Sequence, residues 1–218
     1  MPRLPDPARK SSARGNSPLA SDAMTRIQQQ YAFLTECLKL SEIFRQALLP
    51  VSRRRENDAE HSWHLCLMAI TLAEHANQPV DLARVLKMLI IHDIVEIDAG
   101  DTYAYDTARM AGQHEREAKA ADRIFGLLPP DQAVELRQCW EEFEAKITPE
   151  AKFAAAIDRL QPILLNVLSG GEKWREHGVT KAMVVARNQH ANDGASAVWA
   201  HALTLLDDAV ARGFLPAE

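Results

Sequence analysis

The stretch KMLIIHDIVEIDAGD, residues 87–101, sets His92 and Asp93 side by side in an almost unbroken apolar run. Met88, Leu89, Ile90 and Ile91 precede the pair, and Ile94, Val95 and Ile97 surround Glu96. A helix that is apolar nearly all round is buried in its protein. An isolated carboxylate buried there costs several kcal/mol or takes up a proton. Such a residue is tolerated when it pairs with a charge or binds a metal. The run therefore asks for a cation, with further ligands elsewhere in the chain.

His92 and Asp93 lie about 100° apart around a helix axis, so one ion meets both only in the groove between their faces. Neighbouring helices must supply the rest. His61 opens the second predicted helix, one turn before Leu65 and in line with Met68. Asp158 interrupts the apolar stretch Phe153, Ala154, Ala155, Ala156, Ile157 and Leu160. Pro162 follows four residues later, deprives the Asp158 carbonyl of its helical donor and predicts a kink there. His61, His92, Asp93 and Asp158 form an N₂O₂ set that suits one divalent ion: Mn²⁺, Co²⁺, Mg²⁺, Fe²⁺ or Zn²⁺. A catalytic ion also needs an open position for water.

Glu96 stands four residues after His92, one helical turn along the same face, near the ion without having to ligate it. The bland alternative is a surface or salt-bridging glutamate. Asp101 follows Gly100, where an exposed turn aspartate is an ordinary reading. Arg53, Arg54 and Arg55 directly precede the His61 helix. They are placed to hold a phosphate, Arg54 and then Arg55 first, against the alternative of a solvated connector. His64 reads as packing beside His61. Trp63, Trp174 and Trp199 read as core or interface aromatics.

The periodicity is helical throughout. A first helix runs from a Ser21 cap to about Leu49, where Pro50 ends it. Asn57 or Asp58 caps a second, from about Ala59 to His75. Asp81 caps a third, which carries the opening run and stops near Gly100. A loop through Thr102, Tyr103, Tyr105 and Asp106 leads to a charged helix from about Ala111 to Leu127. Pro130 starts a fifth, to about Lys146, and Thr148, Pro149 and Glu150 start a sixth, to about Leu168. Gly170 and Gly171 break it. Two more helices are expected near 179–191 and 194–212. No alternating strand pattern of useful length stands out. The expected fold is all-α, a single mostly antiparallel helical bundle of about seven to nine helices over residues 22–213, after a disordered, Pro-broken tail at 1–21.

The chain has 218 residues, enough for one sizeable core, and a formal net charge of −5, which argues against a general nucleic-acid partner. Cys37, Cys66 and Cys139 are odd in number and widely spaced, so neither a disulfide framework nor a zinc motif is expected, and a reducing cytoplasm fits. No apolar stretch is long enough to span a membrane. The apolar C-terminal helix, with Val198, Trp199, Leu203, Leu205 and Leu206, serves either a homodimer interface or the domain's own core.

The motifs AEHSWH at 59–64, HDIVEIDAGD at 92–101 and DRL at 158–160 resemble, in order and spacing, the signatures of the HD-domain metal-dependent phosphohydrolases, and most closely their 5′-deoxynucleotidase branch. The resemblance covers roughly residues 25 to 205. It implies metal binding by His61, His92, Asp93 and Asp158, activation of the attacking water by Glu96 with Asp93 beside it, and a role for Asp101 toward the substrate sugar. It implies release of phosphate from a small phosphate ester, a (deoxy)nucleoside 5′-monophosphate. Trp140, with Glu141, Glu142 and Glu144, resembles the family's W-x-E-x-E region and reads as packing behind the site. One departure stands out: the branch carries an Arg-Trp pair near the end of its first helix, whereas this chain reads FRQALLP, with Arg45 out of register and no Trp. Ile97 stands where alarmone hydrolases of the family carry a second acid, and the Gly-Tyr-Pro signature of the cyclic-dinucleotide group is absent. The competing reading is a regulatory or nucleotide-binding protein whose metal only staples helices together.

Overall fold

The fold is seen in a computed structural model that describes residues 24–101 and 112–218. The expected Ser21 cap, the N-terminal tail and the loop through Thr102, Tyr103, Tyr105 and Asp106 lie outside the described residues. Helix α1 spans Arg26–Cys37 and starts at Thr25, whose side chain forms a reciprocal capping box with Gln28. The helix does not run on to Leu49. It tightens into a 3-10 turn, Leu38–Glu42, and then extends into strand β1, Phe44–Leu48. β1 pairs antiparallel with β2, Arg55–Asn57, with an irregular register between Phe44↔Asn57 and Leu48↔Arg55.

That hairpin corrects the expectation of a strand-free first segment. Its cause is tertiary. Arg55 Nε donates to the Arg45 carbonyl at 2.6 Å, and its guanidinium also donates to the Phe44 carbonyl. Leu49 N–H donates to Arg54 O, while Arg53 takes a left-handed φ of 62° at the turn. Side-chain pairing across the hairpin thus overrides a helical local pattern.

Asn57 caps α2, Asp58–Leu72, in a second capping box with Glu60. Asp81 caps α3, Leu82–Ile91, by accepting from Ala83 and Arg84 N–H. α3 ends earlier than its apolar pattern predicts. Residues His92–Val95 form a 3-10 turn, and a short α4, Glu96–Ala99, ends at Gly100 with φ 75°. The later elements are α5, Gln113–Phe125; α6, Pro130–Ala145; α7, Pro149–Leu168; α8, Glu172–Glu176; α9, Lys181–Asn188; and α10, Ser196–Ala211. Thr148 caps α7, which continues through Pro162.

α7 is the axis of the bundle. It touches α2, α3, α6, α10 and β1. Phe153, Ala154, Ala155, Ala156, Ile157 and Leu160 bury nearly its whole circumference. Val85, Met88 and Leu89 of α3 join them in the core. Full burial of each large aliphatic side chain contributes about 1.5–3 kcal/mol. The C-terminal helix closes this core through Trp199 and Leu206. Trp63, by contrast, is exposed and stacks on His64. Among the described residues, no helix is long and apolar enough to cross a membrane.

Candidate metal centre and cleft

Three elements converge on one point. The first turn of α2 brings His61, the 3-10 turn after α3 brings His92 and Asp93, and the middle of α7 brings Asp158. His61 Nε2 lies 3.2 Å from Asp158 Oδ1 and 3.8 Å from Asp93 Oδ2. His92 Nε2 lies 3.1 Å from Asp93 Oδ1 and 3.7 Å from Asp158 Oδ1. Donor atoms of His61, His92 and Asp158 all lie within 4.8 Å of one another.

Both rings are held by their other nitrogen. His61 Nδ1 meets the amide oxygen of Gln161 at 3.2 Å, and His92 Nδ1 meets the Leu89 carbonyl at 2.9 Å. Each oxygen can only accept, so each Nδ1 carries a proton, and in the neutral ring Nε2 turns its lone pair toward the carboxylates. His92 Nε2 is buried and makes no hydrogen bond, despite its short approach to Asp93. Two imidazole lone pairs facing two carboxylates repel unless a cation or added protons intervene. The donor set therefore fits a divalent ion, and the Nδ1 contacts are the kind that orient histidine ligands.

The ionisation tendencies agree. Burial works against charge on His92, but Asp93 and Asp158 override it and lift the ring to about 10. His61 is also raised: burial and Arg45 oppose its charge, and Asp158, Glu56 and Asp93 outweigh them. Against the same burial, contacts with His61 and His92 hold Asp158 well below the carboxylate range. His92 and then Arg45 do the same for Asp93. Every one of these directions is the site's demand for positive charge.

Beside this point lies a second, acidic group: Asp58, Asp93 and Glu96 bring oxygens within 4.8 Å of one another. Arg45 of β1 answers them. Its Nη1 is 2.8 Å from Asp93 Oδ2 and 3.2 Å from Asp58 Oδ1, and its Nε is 4.0 Å from Glu56 Oε2. One guanidinium does not neutralise this many acids. Burial, then Asp93 and Asp58, push the Glu96 carboxyl well above its ordinary range. Burial and Asp93 lift Asp58 to about 7. Asp101 is raised by burial in the same field. Glu96 Oε2 is buried with no partner.

The site opens into a cleft of about 210 Å³ whose lining includes Arg45, His92, Asp93, Glu96, Asp101 and Asp158 together with Lys146, Arg159 and Trp174. Over residues 37–199 the sequence matches the HD domain family.

The chain belongs to the HD-domain family.

Among its relatives, the zebrafish (Danio rerio) protein named 5′-deoxynucleotidase HDDC2 is 31% identical over 112 residues, 51% of this chain and 54% of the relative. The human protein of the same name is 30% identical over 112 residues, 51% of this chain and 53% of its own length. The chain thus spans about half the length of these curated relatives. A crystal structure described as a predicted metal-dependent phosphohydrolase from Magnetospirillum magnetotacticum shares 52% identity at a TM-score of 0.84, covering 88% of this chain and 96% of that one. An HD-domain phosphohydrolase from Listeria innocua, 17% identical with a TM-score of 0.57 over 84% of this chain and 90% of its own, bears on the fold alone.

In this HD-domain chain the sequence-predicted residues divide cleanly. His61, His92, Asp93 and Asp158 come together, and Glu96 and Asp101 line the same cleft. Glu96 reaches its place by a route the sequence did not suggest. In a 3-10 turn side chains three apart eclipse, so Glu96 groups with Asp93 rather than with His92. Arg54 and Arg55 do not line the cleft. Arg54 Nη1 donates to Glu60 at 2.9 Å, and Arg55 is spent on the carbonyls of β1. Arg53 pairs with Glu172.

Four contributors escaped the sequence reading: Arg45, Asp58, Glu56 and Gln161. Gln161 Nε2 donates to Glu56 Oε1 at 2.6 Å while its oxygen holds His61. It also approaches His64 Nδ1 at 3.3 Å, which ties His64 to the site. The available signal was a fully buried amide three residues after Asp158 in an otherwise apolar stretch.

Proposed function

We propose that the protein is a metal-dependent phosphomonoester hydrolase acting on (deoxy)nucleoside 5′-monophosphates. One observation carries this reading: two imidazoles held through Nδ1 turn their Nε2 atoms toward the Asp158 carboxylate, with an Asp93 oxygen beside each, at an open cleft. The names of the curated relatives and of the Magnetospirillum protein support it. His61, His92, Asp93 and Asp158 would hold one divalent ion: Mn²⁺, Co²⁺, Mg²⁺, Fe²⁺ or Zn²⁺. When bound, that ion supplies Lewis acidity toward a phosphoryl oxygen and makes water more acidic.

The chain's own residues do the rest. Glu96 takes the proton of the attacking water, and a carboxylate whose proton affinity is raised by burial, Asp93 and Asp58 is a stronger base than a free one. The water oxygen forms the new P–O bond as the ester P–O bond breaks in line, and the proton held by Glu96 goes to the departing alkoxide. Asp93 fixes the electrostatic balance through His92 and Arg45 and draws Glu96's proton affinity upward. Asp101, which lines the cleft, would contact the sugar. The three thiols Cys37, Cys66 and Cys139 are unpaired, in keeping with a cytoplasmic enzyme. A homodimer is part of this reading. With the C-terminal helix closing the core, its seam would be the exposed stripe Ile27, Tyr31, Leu34 and Leu38.

The test is phosphate release from a panel of ribo- and deoxyribonucleoside monophosphates with each metal, for the wild-type chain and Asp93→Ala. Metal-dependent turnover, lost in Asp93→Ala at unchanged helicity, is expected. Full activity of Asp93→Ala sinks the assignment. Bound metal with no turnover on any phosphoester favours the metal-stapled binding protein.

A further inference from the structure

The cleft lining carries cations as well as acids, and only the acids are accounted for by the proposed ion. Arg159 and Lys146 face it from different elements, α7 and the C-cap of α6. Among the described residues neither makes a side-chain hydrogen bond. Arg159 Nε is buried without a hydrogen bond, 3.7 Å from Asp158 Oδ2, while its side chain stays 27% exposed and so within reach of a ligand. Lys146 makes no ion pair among the described residues. Cations elsewhere differ: Arg84, Lys87, Arg123 and Lys181 each donate a hydrogen bond to a carboxylate.

We propose that Arg159 and Lys146 are the phosphate-holding residues of this chain, gripping the phosphoryl group of the ester and the phosphate released from it. The inference rests on the hydrolase reading above and replaces Arg54 and Arg55 in that role. Three further observations converge on it. Arg159 is the residue next to the ligand Asp158, so an anion held at the ion lies beside its guanidinium, whose planar fork matches phosphate oxygens. Lys146 sits at φ 52°, ψ 36°, a left-handed cap that glycine takes without strain. The C-terminal dipole of α6 favours a cation there, but it would do so on any side of the helix end. Lys146 is on the cleft side. Finally, the positive field is felt behind the wall: besides burial, Arg159 and Lys146 hold the His190 ring below its ordinary range, and His190 Nε2 is left without a partner. The acids Asp93, Glu96, Asp101 and Asp158 in the same cleft repel a phosphate dianion, so the anion needs positive charge beyond that of the ion.

Calorimetric binding of inorganic phosphate to the full chain loaded with Mg²⁺ tests this. Lys146→Gly and Arg159→Gln should each weaken phosphate by roughly tenfold or more, the scale of a lost charged hydrogen bond. Lys181→Gln, which removes a surface pair, should leave it unchanged. Lys146→Gly should melt no lower than the wild type, because glycine relieves the left-handed backbone, so its loss of phosphate cannot be blamed on unfolding. Arg159→Lys should recover part of the affinity. Phosphate affinity within twofold of the wild type in both Lys146→Gly and Arg159→Gln, or an equal loss in Lys181→Gln, overturns the proposal. Lys146-dependent phosphate binding in a chain that hydrolyses no phosphomonoester would instead remove the hydrolase reading and leave the subsite standing. Hydrolysis with an unchanged KM and unchanged inhibition by phosphate in Lys146→Gly does the reverse.

Discussion

Gln161→Leu removes a side chain that never touches the proposed ion yet should govern how tightly it is held. Gln161 is fully buried, and its amide joins His61 Nδ1 at 3.2 Å to Glu56 Oε1 at 2.6 Å. Leucine fills similar space and offers neither an acceptor nor a donor. Two buried groups then lose their hydrogen-bond partner: the His61 Nδ1–H, whose next acceptor, Glu56 Oε2, lies 3.6 Å away, and the Glu56 carboxylate. At about 1–3 kcal/mol for each orphaned group, the expected loss is about 2–6 kcal/mol. For a chain of this size that lowers the melting temperature by roughly 4–24 °C. The second consequence is on the metal. With Nδ1 no longer tied to an acceptor, His61 loses the bond that fixes its tautomer and ring orientation, and affinity should fall roughly 10–100-fold. Thermal melts of metal-free protein and calorimetric titration with Mn²⁺ read the two effects separately. Gln161→Glu, which keeps an acceptor for His61, should retain more of the metal affinity than Gln161→Leu. A Gln161→Leu protein that binds Mn²⁺ as tightly as the wild type would refute the reasoning, whatever its stability.

Three further outcomes follow from the same geometry. Glu96→Gln keeps the shape and loses the proton carrier, so kcat should fall roughly 10²–10⁴-fold with Mn²⁺ affinity little changed, as steady-state kinetics and titration will show. Arg45→Met strips the cation from Asp58 and Asp93 and should destabilise the metal-free fold by about 3–5 kcal/mol near neutral pH. Because Asp58 takes up a proton below about 7, denaturant melts should show a smaller loss at mildly acid than at mildly alkaline pH. In metal-free protein the His92 ring, raised to about 10, adds stability that is full below the ordinary histidine pKa and disappears as pH climbs through about 10. An incoming ion must displace that proton, so binding near neutral pH should release protons, seen by calorimetry in buffers of different ionisation enthalpy, and affinity should rise with pH.

The donor set was legible because each member is a polar residue in a sequence neighbourhood that has no other use for it. His92 and Asp93 interrupt one apolar run and Asp158 another, and burial makes such residues conspicuous. Helix starts were legible for a local reason too: Asn57, Asp81 and Thr148 cap through bonds within three residues. The guanidinium within the site was not legible. Arg45 reaches the acids because residues 44–48 are a strand, and they are a strand because Arg55 and the β2 backbone, about ten residues on, hold them there. The arginine run at 53–55 drew attention by charge alone, yet its charges are taken up by Glu172, Glu60 and backbone carbonyls. Charge in a sequence shows that a partner is needed without showing which partner is nearest once the chain folds.

The break after Ile91 is what converts an apolar helix into a two-sided wall. At the end of α3 the last carbonyls have no helical donor, and the Leu89 carbonyl accepts instead from the His92 ring. A helix terminus, ordinarily a group to be capped, thereby fixes the tautomer of a ligand. The tighter turn that follows eclipses residues three apart, which sets Glu96 over Asp93 and leaves His92 to face His61 and Asp158. Asp93 is then shared: one oxygen faces His92, the other faces His61 and Arg45. In an uninterrupted α-helix Glu96 would neighbour His92 as well as Asp93, on the ligand face. The 3-10 turn instead separates the group that would bind the ion from the group that would move the proton, and joins them through a single aspartate.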